Sequence, residues 1–170
     1  WIWGYRENDP MGGHDPYSAS KGCAELVFGA YLKSFFSPKA LKGRSIGAAS
    51  VRAGNVIGGG DWGKDRLVPD CIRALSEGRA IEIRNPRAVR PWQHVLEPLG
   101  GYLTLGAALL RDPEEYSGAW NFGPDDASHL TVAEMADRLI KYWGGGSWTD
   151  LSDPHALHEA MLLKLNCDKA

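Results

Sequence analysis

Cysteine is scarce in this chain of 170 residues: there are three, Cys23, Cys71 and Cys167. They form no C-x-x-C pair and no cluster with histidine at metal-ligand spacing, which argues against a disulfide framework or a structural zinc and fits a reducing compartment. An excess of one charge is also lacking. Nineteen Lys and Arg face 21 Asp and Glu, a net charge of −2. Without a basic stripe, neither nucleic acid nor an anionic membrane surface is an electrostatically favoured partner, although local arginines can hold a small anion. No run approaches about 18 consecutive apolar residues, and the amino terminus lacks a basic, apolar, small-residue signal pattern. The expectation is a soluble, cytoplasmic protein. Internal repeats and low-complexity tracts are missing as well.

One further absence bears on chemistry. No G-x-G-x-x-G follows a strand and opens a helix, so the usual pyrophosphate fingerprint of a dinucleotide fold is not found. Gly58-Gly59-Gly60 is the nearest substitute, but Asp61-Trp62-Gly63 after it reads as loop, which makes a poor phosphate cradle.

What is present is enough for a core: 44% apolar residues and seven tryptophans, in one domain or part of one. The chain opens on Trp1-Ile2-Trp3 rather than methionine, and Leu162 to Ala170 reads as an element just beginning. Both ends look cut, and a fragment is expected.

Apolar periodicity predicts a helix from about Tyr17 to Phe36 that buries Ala24, Val27, Phe28, Tyr31 and Leu32 and is ended by Pro38 and Gly43. Arg44 to Val51 is small and apolar, as expected of a parallel strand covered on both faces, with a loop over Asn55 to Trp62 at its carboxyl end. Further helices are expected over Leu67–Ser76, Gln93–Leu110 and Val132–Trp143, and strands over Ala80–Ile83, Ala119–Phe122 and Ser147–Leu151. Pro98 and Gly100-Gly101 predict a kink or restart in the second of these helices. Strands alternating with helices give an α/β fold.

Tyr17-Ser-Ala-Ser-Lys21 carries the chemistry. The i, i+4 spacing sets a phenol and an ammonium on one helix face, where the cation stabilises a phenolate that can serve as general base. Asp15-Pro16 supplies an N-cap and a first-turn proline, fixing the pair near a helix start. The plainer alternative is an exposed helix pair.

Tyr17-Ser-Ala-Ser-Lys21-Gly-Cys-Ala-Glu-Leu, Arg52-Ala-Gly-Asn55-Val-Ile-Gly-Gly-Gly-Asp-Trp62, Arg84-Asn-Pro, Arg90-Pro-Trp-Gln-His-Val-Leu-Glu-Pro98 and Ala119-Trp-Asn-Phe-Gly-Pro124 together resemble the CDP-glucose 4,6-dehydratase family of the extended short-chain dehydrogenases/reductases. The resemblance implies a fragment of a doubly wound, extended Rossmann-type fold lacking its amino-terminal dinucleotide-binding strands, plus a smaller mixed α/β substrate region. Residues 1–60 would hold the Rossmann part and 61–170 mainly the substrate region, some of whose elements return to the Rossmann sheet.

The same resemblance implies NAD as cofactor, CDP-glucose or a related nucleotide sugar as ligand, and deoxysugar biosynthesis as the setting. Tyr17 would take the C4 hydroxyl proton, and Lys21 would bind the nicotinamide ribose beside it. Asn55 would meet the substrate phosphate region, or else cap a turn. Arg90 would grip the diphosphate with its guanidinium fork, or else be a surface arginine. Arg66, Leu67, Arg84 and Asn85 would flank the nucleotide base. Trp92 and His94 read as pocket wall or helix-start packing, and Glu97, His155 and His158 as solvated or capping groups.

The family's fingerprint and its acid/base residues precede the Tyr-x-x-x-Lys step, where this chain has only Trp1 to Pro16. The expectation is therefore weak NAD binding and no turnover by this chain alone, with an unpaired edge at the Ser45–Val51 strand. A homodimer through the Tyr/Lys helix, using Leu26, Tyr31, Phe35 and Phe36, is implied too. Other readings stay open: a TDP- or UDP-sugar dehydratase, a 4-epimerase, or a non-catalytic sugar-nucleotide-binding or accessory protein.

Overall fold

Helix α1, Pro16–Phe35, starts where its capping chemistry dictates: the Asp15 side chain accepts from the Ser18 backbone N–H at 2.9 Å and from its hydroxyl at 2.6 Å. A computed structural model of the chain describes residues 3–37, 40–44, 46–125, 128–153 and 161–170. The expected stop at Pro38, the strand start at Ser45, and His155 and His158 lie outside the described residues.

The remaining elements are β1 Ala49–Ala53, β2 Asn55–Ile57, α2 Leu67–Ser76, β3 Ile81–Ile83, β4 Val89–Arg90, β5 Trp92–His94, α3 Leu96–Arg111, α4 Pro113–Tyr116, β6 Gly118–Phe122, β7 Leu130–Thr131, α5 Val132–Trp143 and β8 Trp148–Asp150. Among the described residues they form four two-stranded ladders, β1-β6, β2-β5 and β3-β8 parallel and β4-β7 antiparallel. The fold is mixed α/β with parallel pairing, as expected.

The chain divides into two compact units. The first comprises Gly54–Val95 and Gly123–Leu165 with Trp1–Gly4. Its core is Cys71, Ala74, Leu75, Ile81, Ile83 and Ala136, with Leu67, Val132, Leu139, Ile140 and Trp148 packed around them. Burying Ile81 and Ile83 contributes about 1.5–3 kcal/mol each. Helix α5 is fixed at its start by a capping box between Thr131 and Glu134 and at its end by Gly144 in the left-handed conformation, φ 96°.

The second unit comprises Tyr5–Ala53, Leu96–Phe122 and Asn166–Ala170. Its centre is the β1-β6 pair, in register from Ala49 opposite Gly118 to Ala53 opposite Phe122. Asn121 is fully buried there, its Nδ2 donating to Tyr5 O at 2.9 Å and to Asn166 O at 3.2 Å.

Several expectations need correction. Strand β1 starts later than expected, because pairing begins only where β6 offers a partner at Gly118. Asn55 to Ile57 is a strand rather than loop, since it pairs with Trp92 to His94. For the same reason Trp92 and His94 sit in β5 and not at a helix start, and α3 begins at Leu96. Gly100 and Gly101 do not break α3. Gly101 is needed instead for close approach, as a Cβ there would lie 2.4 Å from the Phe122 ring. Proline at position 98 falls in the first turn, where a missing N–H costs little.

Helix α1 is far more exposed than its periodicity predicts. Gly22 is its buried residue, Ala24 is exposed, and Val27 and Tyr31 are 57% and 53% exposed. Among the described residues β1 has one ladder partner, so the apolar stripe has little to pack against.

Gly54 joins β1 to β2 where a Cβ would stand 2.7 Å from the Pro91 carbonyl oxygen. Backbone cannot yield as a side-chain tip can, so Gly54→Ala is expected to cost about 1–3 kcal/mol, read as a lowered Tm.

Candidate active site

Tyr17 and Lys21 stand in the first two turns of α1, and the Lys21 Nζ lies 5.5 Å from the centre of the Tyr17 ring. The phenol is accessible, with Tyr17 72% exposed. The spacing thus delivers an ammonium close to the face of an exposed phenol. Asp15 anchors the helix start, and the Ser18 hydroxyl and N–H hold its carboxyl below the usual carboxylate range.

Two i, i+4 steps bring the same face of α1 to Glu25. Its carboxylate receives a bidentate fork from Arg52 of β1, Nε to Oε1 at 2.9 Å and Nη2 to Oε2 at 3.0 Å. The Ser50 hydroxyl donates to Oε2 at 2.8 Å, and Arg52 Nη1 donates to the Glu7 carbonyl at 3.1 Å. Glu7 in turn accepts from the Asn121 N–H at 2.9 Å. Sequence reasoning missed this network. Glu25 could have been found by extending the Tyr17–Lys21 stripe one step, but its partner 27 residues away could not.

The other six predicted site residues belong to the first unit. Asn55 opens β2, and its N–H donates to Pro91 O at 3.0 Å, which brings it beside Arg90 of β4. Arg90 Nη1 also donates to Val89 O at 3.0 Å. Arg66 is the N-cap residue of α2 and pairs with Asp61 at 2.9 Å, while Leu67 begins the helix and packs on the core. Arg84 reaches Asp65 at 3.6 Å, drawing Arg84-Asn85 towards Arg66-Leu67. Asn85 Nδ2 approaches Met161 Sδ at 3.6 Å. So the backbone of Asn55 meets Pro91, the residue after Arg90, and Arg84 meets Asp65, the residue before Arg66. Tyr17 and Lys21 fall in the second unit.

The loop before α2 is held from behind. Arg73, ion-paired with Asp70, donates to the carbonyls of Trp62 at 3.0 Å and Gly63 at 3.2 Å. Asp61 accepts from the Gly63 N–H at 3.0 Å, and that bond, with Arg66, holds its carboxyl below the usual range. This anchor was also missed, though an arginine one turn from the end of a short helix is an ordinary sight in sequence.

Trp92 Nε1 donates to Leu130 O at 3.2 Å, and Glu97 is exposed in the first turn of α3. Among the described residues no group of three or more His, Cys, Asp or Glu could hold a metal ion. Gly58 to Gly60 form a turn, and α2 begins only at Leu67, so these glycines do not open a helix as a pyrophosphate cradle requires. Among the described residues no helix is long and apolar enough to cross a membrane.

No protein-family model matches the chain. It is 53% identical over 171 aligned residues to CDP-glucose 4,6-dehydratase of Salmonella typhimurium, covering all of this chain and 47% of that protein. The chain therefore spans about half the length of the curated relative it matches. Among solved structures, dTDP-glucose 4,6-dehydratase of Bacillus anthracis in complex with NAD superposes with TM-score 0.75 at 20% identity, covering 98% of this chain and 48% of that one. UDP-glucose 4-epimerase of Thermotoga maritima with UDP-glucose gives TM-score 0.75 at 16% identity, covering 99% of this chain and 50% of that one. At such identities these two matches carry the fold alone, that of the carboxy-terminal part of extended Rossmann-type enzymes.

Arg52 first, then Ser50, hold the Glu25 carboxyl below the ordinary glutamate range against the opposing effect of burial. Its folded-state pKa is therefore depressed, so the stabilisation is present above the unfolded value of about 4.3 and is lost as pH falls through the lower folded value. Thermal unfolding between pH 7 and pH 3 should show Glu25→Gln less stable than the parent at neutral pH, with the gap closing below about pH 4.3.

Proposed function

We propose, from the premise that this chain belongs to the extended short-chain dehydrogenase/reductase superfamily as a relative of CDP-glucose 4,6-dehydratase, that it is the Tyr/Lys and substrate-binding part of such a dehydratase. The reaction is conversion of CDP-glucose to CDP-4-keto-6-deoxyglucose and water. The observation that carries this reading is the close relationship over the whole chain combined with an accessible phenol–ammonium pair on one helix face.

In this reading Tyr17, as phenolate, takes the proton of the sugar C4 hydroxyl, and the Lys21 ammonium stabilises the negative phenolate before that transfer. NAD, when bound, supplies the acceptor for the C4 hydride and the donor that returns it to C6, so the sequence is redox-neutral. The donor set fits the nicotinamide-ribose end of that cofactor: the hydroxyl and ammonium are the groups that would hold ribose oxygens. The Gly58–Gly60 turn does not fit its pyrophosphate, for the reason given above.

Asn55 and Arg90 are proposed to meet the substrate diphosphate, the arginine as a fork and the amide as a donor. Arg66, Leu67, Arg84 and Asn85 would surround the nucleotide base. The second unit corresponds in this reading to the Rossmann part and the first mainly to the substrate region. We also propose a cytoplasmic setting and a homodimer through α1, whose Leu26 and Phe35 are 67% and 57% exposed. A second reading, action on a TDP- or UDP-sugar, stays open and is separated by base preference.

Tyr17→Phe in the intact protein is expected to lower turnover of CDP-glucose by about 10²-fold or more while leaving substrate affinity nearly unchanged. Unchanged turnover would remove the phenol from the chemistry. Competition among CDP, UDP and TDP for the intact protein tests the base: CDP is expected to bind tightest, and a strong TDP preference would move the reading to a TDP-sugar enzyme.

A further inference from the structure

Helix α1 bears the proposed proton-transfer pair but is poorly held by apolar packing. Gly22 is its buried residue, set against the backbone of Gly12, where an added Cβ would lie 3.3 Å from the Gly12 Cα. Leu26, Val27, Tyr31 and Phe35 are all more than half exposed within this chain. Within this chain the half-buried Phe28 and Leu32 supply some apolar contact, and polar contacts to β1 add the directional hold.

The strongest of these is the Glu25–Arg52 fork. The side chains are 17% and 21% exposed, so the pair is better shielded than an ordinary surface ion pair. We infer that Glu25, held by Arg52 and Ser50, is a positioning residue for Tyr17 and Lys21: it sets the rotation of α1 on β1 and thereby the place of the phenol oxygen. This inference rests on the proposed dehydratase reading.

The geometry supports it in three ways. Two parallel N–H···O bonds between planar groups allow one rotational setting, whereas a single bond would act as a pivot. Ser50 and Arg52, both on β1 and separated by one residue, point at the same carboxylate, so the strand grips Glu25 through two residues on one face. Arg52 also ties the carbonyl of Glu7, in the loop before α1, so one guanidinium joins the approach to the helix, the helix and the strand.

The lever is long enough to matter. Tyr17 lies eight residues from Glu25, about 12 Å along the axis at 1.5 Å per residue. At a radius of about 6 Å, a helix rotation of about 10° moves a side-chain tip by about 1 Å. A misplacement of that size costs up to about 100-fold in rate when a proton must be transferred over hydrogen-bond distance.

The test uses the intact protein with NAD, comparing Glu25→Gln, Arg52→Lys, the charge-reversed pair Glu25→Arg with Arg52→Glu, and Tyr17→Phe as reference. Kinetics with CDP-glucose should show kcat reduced about 10- to 100-fold in the two single variants with KM nearly unchanged, and partly regained in the charge-reversed pair. A merely structural pair would instead lower Tm while kcat per folded molecule stayed at the parent value. That result, with Tyr17→Phe inactive, would overturn the positioning role and leave the dehydratase reading intact. Full activity of Tyr17→Phe would overturn both. If Glu25→Gln does not fold, Ser50→Ala removes one bond to the same carboxylate. Reduced kcat at constant KM in that variant supports the inference, and parent kcat overturns it.

Discussion

The guanidinium of Arg52 is the tie on which the second unit depends. It meets Glu25 from α1 in a fork and the Glu7 carbonyl from the preceding loop, while its own strand pairs with β6. Three stretches far apart in sequence are thus joined through one planar group. Arginine suits this work because its five donors are rigidly arranged and its charge persists at every relevant pH, whereas a lysine would offer a point charge with no preferred orientation. Asn121 plays the neutral counterpart nearby, joining Tyr5, Glu7 and Asn166 to β6 from a fully buried position.

Much of the architecture was legible in the residues. Leu67–Ser76 and Val132–Trp143 were readable to the residue, because each carries a strong apolar period, joined in the second by a Thr131–Glu134 capping box and a terminal Gly144. Helix α1 was readable to within a residue at each end from Asp15-Pro16 and its apolar period. What failed was the treatment of Asn55–Ile57 and Trp92–His94. Each is three residues long, too short for alternation to register, and each becomes a strand only because the other exists. Local propensity cannot report a partner that lies so far along the chain.

The candidate site divides along the same line. Tyr17 and Lys21 could be read because four residues on a helix is a local relation, and the structure sets their side chains together. The association of Arg84 with Asp65, or of Asn55 with Pro91, required the fold. Periodicity also overestimated burial on α1: Phe28 and Leu32 are half-buried but Ala24, Val27 and Tyr31 are exposed, since a pattern states only which face would be covered, not that a surface is there to cover it.

The grip of Arg73 on the segment before α2 includes hydrogen bonds to the carbonyls of Trp62 and Gly63. Those two bonds take hold of main-chain oxygens and so do not depend on which side chains stand at positions 62 and 64. Such a frame tolerates exchange of the side chains at those positions, because the acceptors that Arg73 holds are present whatever residue stands there.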